Sequence, residues 1–328
     1  MTSNRRMLAA AATAALAACA ASSLPVQTRL RVWAFTVPWD AKSSASARDH
    51  AAQFSSVISG WIQLDSVTGH PFAEFRDTLA RNTPSGLRLT AMVTNAVGGR
   101  FHPDAVRHLV ADRAALAHAA GEIARRASSY HGLVVDLEGF VAADRQILTT
   151  AVRTIADSAR AHHVTPIAVA VPAVDTAAFP GRIFLPAADY LLVMLYDQHW
   201  TTSAPGPLAA PDWVRAATAL RVSEVGAHRV VAALPLYGYR WPTSGHAAAL
   251  TFADAERDAT AAGVHLQRDS ATSTLRATSP GVWDLWVSDA GLIAVLIREV
   301  RAQGVTTVAL WRLGQEDPAV WGVVRGAR

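Results

Sequence analysis

One cysteine, Cys19, and one lysine, Lys42, are all that the 328 residues contain of those two types. A lone thiol excludes internal disulfides, CxxC redox chemistry and thiolate metal sites. With a single lysine, the formal net charge of +4 rests on scattered arginines. There is no basic run and no interleaving of arginine with aromatics, so the footprint of a nucleic-acid binder is missing. No His-Glu-x-x-His occurs, and His162-His163 are neighbours at a helix end that diverge rather than chelate. No Gly-x-Ser-x-Gly elbow is present, and no glycine-rich phosphate loop follows an early strand. Neither a metal nor another cofactor is expected. Beyond the first residues, no apolar stretch is long enough to span a bilayer.

The chain opens with an export signal. Arg5 and Arg6 precede an apolar Ala/Leu run that ends in Leu16-Ala17-Ala18-Cys19. A charged start, a short apolar core and small residues at the cut are the parts of a cleaved signal peptide, too short for a membrane helix. Leu-Ala-Ala-Cys also resembles a bacterial lipobox, in which the cysteine becomes the lipidated N-terminus. The expectation is an exported lipoprotein: signal 1–18, a tether 19–28, and a folded body over 29–328 held to a membrane of the cell envelope through Cys19.

Within the body, strand-like and helix-like runs alternate. Strands are expected at Leu30–Val37, Val57–Leu64, Leu87–Val93, Leu133–Glu138, Pro166–Val171, Tyr190–Tyr196, Val230–Leu236 and Thr306–Trp311. Amphipathic helices are expected at Pro103–Ser128, Ala142–His162, Pro211–Val225 and Asp289–Gln303, with Pro211 in a first turn, Ser288 as an N-cap and Gly304 as a stop. Eight near-continuous apolar strands alternating with helices predict an α/β fold, a (β/α)8 TIM barrel. Residues 240–287 break the alternation. They hold a short helix after Thr251 and Thr/Ser-rich runs, and read as a small insertion after strand seven.

The fourth strand carries the chemistry. His131-Gly-Leu-Val-Val-Asp-Leu-Glu-Gly ends in two carboxylates, Asp136 and Glu138, which alternation puts on one side. Two carboxylates this close cannot both ionise cheaply, so one holds a proton near neutral pH. A protonated acid beside a charged neighbour suits protonation of a glycosidic oxygen. Barrel active sites lie at the C-terminal strand ends. Those ends supply Trp33 and Trp39, Asp65, Asn95, then Met194, Tyr196, Asp197, Gln198, His199 and Trp200, then Tyr237 to Trp241, and finally Trp311 and Arg312. Aromatic rings among carboxylates are how proteins grip sugars. Strand seven has no carboxylate, which disfavours a double displacement with its nucleophile there.

In order, Gly132-x-x-x-Asp136-x-Glu138, Met194-x-Tyr196-Asp197, Leu236-Tyr237-Gly238-Tyr239-x-Trp241 and Trp311 resemble glycoside hydrolase family 18, the chitinase-like family, from about residue 30 to the C-terminus. Tyr196-Asp197-Gln198-His199 and Trp311-Arg312-Leu313-Gly314-Gln315-Glu316-Asp317-Pro318 are similar to a bacterial subgroup that includes spore-germination-type hydrolases and domains fused to polysaccharide deacetylases. The resemblance implies substrate-assisted, retaining cleavage of a β-linked N-acetylglucosamine glycan: chitin, peptidoglycan or poly-N-acetylglucosamine. Glu138 would be the acid and base, Asp136 and Tyr196 would hold the 2-acetamido group, Trp311 would floor the sugar, and Asp197 would bind its neighbour. Asn95, Met194, Tyr237, Trp33 and Gln198 complete the expected substrate-binding set.

Two positions depart from the family pattern. His131 and Val134 stand where the family carries acids. His131 belongs at the strand start, away from chemistry, whereas Val134 removes a buried carboxyl beside Asp136. That loss keeps a weak or binding-only carbohydrate protein on the same barrel as the alternative. An envelope scaffold is a third class, which would have no need of the aromatic rim.

Overall fold

The computed structural model describes residues 29–328, so the signal, the tether and Cys19 lie outside the described residues. Eight parallel strands carry the fold: β1 Arg31–Phe35, β2 Ser56–Leu64, β3 Leu89–Thr94, β4 Leu133–Asp136, β5 Ile167–Pro172, β6 Tyr190–Met194, β7 Val230–Pro235 and β8 Thr307–Trp311. Each pairs with the next, and β8 pairs back onto β1. The sheet therefore closes into the expected (β/α)8 barrel.

Period-two alternation sorts the side chains of these strands. Outward residues such as Val32, Leu133, Val135, Ile167, Val230 and Val308 pack against the helix ring. Inward residues, among them Phe35, Met92, Val134, Leu192, Ala233 and Ala309, form a separate cluster inside the barrel. The inner layer includes several alanines (Ala168, Ala170, Ala233, Ala309), which leave depth for a cleft.

The helices follow their punctuation with three differences. The expected helix 103–128 is two, Pro103–Ala111 and Arg113–Ala127. Asp112 stops the first and caps the second, its Oδ1 accepting from the Ala114 and Ala115 amides at 2.8 and 3.1 Å. The helix Ala290–Ala302 is capped by Asp289, not Ser288, because the Asp289 carboxylate takes the amides of Gly291 and Leu292. The segment expected as helix 142–162 opens with a 3-10 turn, Ala142–Asp144, before the α-helix Arg145–Ala161. Pro211 does start its helix, and Gly304, at φ 81°, does end the last long one.

The insertion begins at Gly238 rather than 240. Gly238–Pro242, Ala248–Leu250, Gln267–Arg268, Leu275–Ser279 and Trp283–Val287 form one antiparallel sheet. A Cβ on Gly238 would lie 2.4 Å from the Trp286 carbonyl oxygen, so only glycine permits this pairing. Across the sheet lies the helix Phe252–Ala261, whose start is a reciprocal Thr251–Asp254 capping box.

Candidate active site

The site grows from the end of β4. Val134 and Asp136 point into the barrel, and Glu138, just past the strand, shares their side. Beyond Asp136 the main chain leaves the ladder, and Asn95 takes over. Its side-chain amide donates to the Glu138 carbonyl and accepts from the Glu138 amide, both at 2.9 Å. This two-point clamp does for Glu138 what a neighbouring strand does for its pair. Thr94 lies opposite Asp136 in the β3–β4 register and hydrogen-bonds its carboxyl.

The two carboxyls are electrostatically distinct. Burial pushes Asp136 up to about 6, opposed by hydrogen bonds from Thr94 and Glu138. Burial also raises Glu138 well above the usual range, and there the charge of Asp136, the hydrogen bond between the two and the charge of Asp197 all add to the shift. The shared hydrogen bond thus lowers Asp136 and raises Glu138. Glu138 keeps the proton while Asp136 ionises first.

Around this pair the barrel mouth opens into a cavity of about 810 Å³. Trp311 lies stacked over Tyr196, with ring centroids 6.2 Å apart and planes 18° off parallel. Trp61 stands 6.4 Å from Trp311 and extends the wall to Trp39 and Phe75. Asp197 closes another side. Its backbone is left-handed at φ 56°, a conformation a short polar residue tolerates. Its Oδ1 accepts from the Tyr239 hydroxyl at 3.1 Å and, at shorter range, from Tyr237. Loss of water raises the Asp197 pKa, and the two tyrosine hydroxyls oppose the rise.

The structure brings Asp136, Glu138, Met194, Tyr196, Asp197 and Trp311 to one cavity wall. Asn95 and Tyr237 stand behind it, holding Glu138 and Asp197. Gln198 is also a support: its side-chain Oε1 accepts from the Ala210 amide and its backbone N–H donates to the Leu208 carbonyl, pinning the loop 199–209. Trp33 is not at the rim. It is buried in the inner barrel cluster, edge-on to Tyr190 at 5.5 Å, well below the carboxyls. Asp65 is absent from the cavity too, since its carboxylate closes a turn through the amides of Val67 and Thr68. His131 is exposed just before β4, and Val134 is fully buried at the position below Asp136.

Sequence reasoning missed Trp61, Thr94, Phe75 and Trp213, which line the cavity. Trp61 escaped because a bulge between Ile58 and Gly60 puts Ile58 and Trp61, three apart, on the same inner face. Thr94 was open to discovery, as the last residue of a strand adjoining the carboxylates. Among the described residues one group could hold a metal ion, His70, His118 and Glu122, none of which lines the cavity.

No family model matches the chain. A Bacillus subtilis (strain 168) protein named as a sporulation-specific glycosylase, YdhD, is 28% identical over 201 residues, covering 58% of this chain and 47% of that protein. The chain thus spans about half the length of that relative. Among solved structures, a class V chitinase from Pseudomonas fluorescens Pf-5 superposes with a TM-score of 0.80 at 22% identity, covering 91% of this chain and 99% of the other. The spore cortex-lytic enzyme SleL of Bacillus megaterium QM B1551 also reaches 0.80, at 16% identity, covering 92% and 75%. Fold and motifs together define a chitinase-like barrel. The chain resembles glycoside hydrolase family 18 in architecture as well as in its motifs.

Proposed function

We propose that this protein is a cell-envelope glycoside hydrolase that cleaves β-linked N-acetylglucosamine glycans with help from the substrate's own acetamido group. The observation that carries the reading is the Glu138 carboxyl, which retains its proton beside Asp136 at the base of an aromatic-walled cleft. Glu138 protonates the glycosidic oxygen as the bond to C1 breaks. The acetamido carbonyl oxygen attacks C1, forming an oxazolinium while the leaving sugar departs with the proton. Asp136 accepts from the acetamido N–H and steadies the positive ring, and the Tyr196 hydroxyl donates to the carbonyl oxygen. Glu138, now ionised, takes a proton from water as that water opens the ring at C1. Two inversions give net retention without a protein nucleophile. Trp311 offers its face to the sugar's C–H groups, and Asp197 accepts from hydroxyls of the next unit.

Glu138→Gln is the test. It should bind oligosaccharide and lose about 10²–10⁴ of turnover, because an amide cannot donate the proton. A stable oxazoline mimic should inhibit the native protein more tightly than product sugar does. Undiminished turnover in Glu138→Gln, or products of inverted configuration, would reject the mechanism. Val134 favours a second reading, a carbohydrate-binding protein on the same barrel. Binding without turnover in the native protein would select it.

A further inference from the structure

Five acidic side chains line the cleft: Glu74, Asp136, Glu138, Asp175 and Asp197. Among the described residues, no lysine, arginine or histidine lines it. In a chain with 30 basic residues against 26 acidic ones, that one-sided wall is local, not compositional. Of the arginines that adjoin lining residues, Arg76, beside Phe75, and Arg100, between Gly99 and Phe101, are exposed and stand outside the lining, whereas two others are occupied. Arg312, next to Trp311, pairs with Asp40 at 3.0 Å. Arg221, beneath Asp175, is fully buried and pairs with Glu224 at 2.8 Å while donating to backbone carbonyls that include Pro172 and Asp175.

Two of the five acids are not needed by the proposed chemistry. Glu74 lines the cleft beside Phe75, on the Trp39–Trp61 side, and makes no ion pair or hydrogen bond among the described residues. Asp175 lines the side formed by Val174 and Trp213. Its Oδ1 caps the amides of Ala177 and Ala178, while its Oδ2 has no hydrogen-bond partner among the described residues. Asp136 and Asp197 lie in the same cavity, whereas Glu138, which holds its proton, adds no charge. Carboxylates on walls of low dielectric sum their fields, so the cleft attracts cations and repels anions.

We infer that the preferred substrate is a partly N-deacetylated N-acetylglucosamine polymer, with an acetylated unit at the scissile bond and cationic glucosamine units in the flanking positions that Glu74 and Asp175 face. This deepens the proposed function and rests on it. The acetylated unit supplies the attacking oxygen, and the flanking ammonium groups meet the carboxylates. A neutral chitin oligomer fits without that gain. Glycan strands bearing acidic stem peptides or free lactyl carboxylates meet only like charge.

Three length-matched oligosaccharide sets decide it: fully acetylated, partly deacetylated, and muramic-acid-containing with free carboxylates. The partly deacetylated set should show the highest kcat/KM, by about two- to ten-fold over the acetylated set, the scale of part-exposed ion pairs. The advantage should sit in KM and shrink as salt rises. Glu74→Gln with Asp175→Asn, which keeps the capping oxygen, should bring the ratio toward one. Binding to the Glu138→Gln protein reads the same preference without turnover. A protein that cleaves nothing yet binds the cationic set best would overturn the hydrolase reading and keep the preference. Equal or better use of the acetylated or anionic sets, or a preference unmoved by the double variant, would overturn the inference.

Discussion

At the scale of single residues, Asp136 sets a pH dependence whose direction is fixed by burial. Its carboxyl titrates near 6 in the folded protein against 3.8 ordinarily, so the fold favours the protonated form. The stability from that group is complete below about pH 4 and is lost as the pH rises through 6. Asp136→Asn removes the loss, and should be more stable than the native protein at pH 7 by on the order of 3 kcal/mol while nearly matching it at pH 4. Thermal unfolding of both proteins across pH 4–7 checks this, and a gap that stays constant would rule it out. The Asp136–Glu138 pair was visible in the sequence because a strand's period fixes which side chains share a face. The roles of Asn95, Gln198 and Tyr237 were less visible. Each sits at a strand end, as a rim residue should, but spends its polar atoms on neighbouring protein groups, a choice that depends on partners far along the chain. Trp33 shows the same limit from below: its place on β1 was legible, its height in the barrel was not.

At the scale of elements, apolar runs located all eight strands, because strands buried on both faces are written as short continuous stretches of β-branched and aliphatic residues. The breaks were harder. The 103–128 helix reads as one amphipathic segment until Asp112 is seen taking the amides of the following turn. Asp112→Ala leaves those amides unpaired and should cost about 1 kcal/mol in chemical denaturation, with Asp112→Asn recovering most of it. No loss in the alanine variant would mean that the junction is held by packing alone. The insertion was recognised by its failure to alternate. Its strands are short and partly exposed, with charged residues breaking the apolar ones in Leu275–Ser279 and Trp283–Val287, and its start at Gly238 is set by contact with Trp286 across the sheet.

At the scale of the whole molecule, the closed barrel has two unlike ends. Each strand's C-terminal end feeds the cleft, and each N-terminal end lies on the opposite face. We propose attachment through Cys19, which predicts that Cys19→Ala leaves the protein in the soluble envelope fraction or secreted and that the native protein sediments with membranes. Identical fractionation of the two would dispose of the anchor. The direction of β1 adds a consequence for reach. The strand runs from Arg31 toward Phe35, which lines the cleft, so the chain joins the barrel from behind the site. Whatever holds the protein by its N-terminal side therefore has the cleft pointing away from it. The ten residues proposed as a tether, 19–28, would span at most about 35 Å when fully drawn out. Under the proposed anchor and hydrolase activity, the protein would graze on strands held out from the surface that carries it, and the glycan lying directly against that surface would be the part it reaches least.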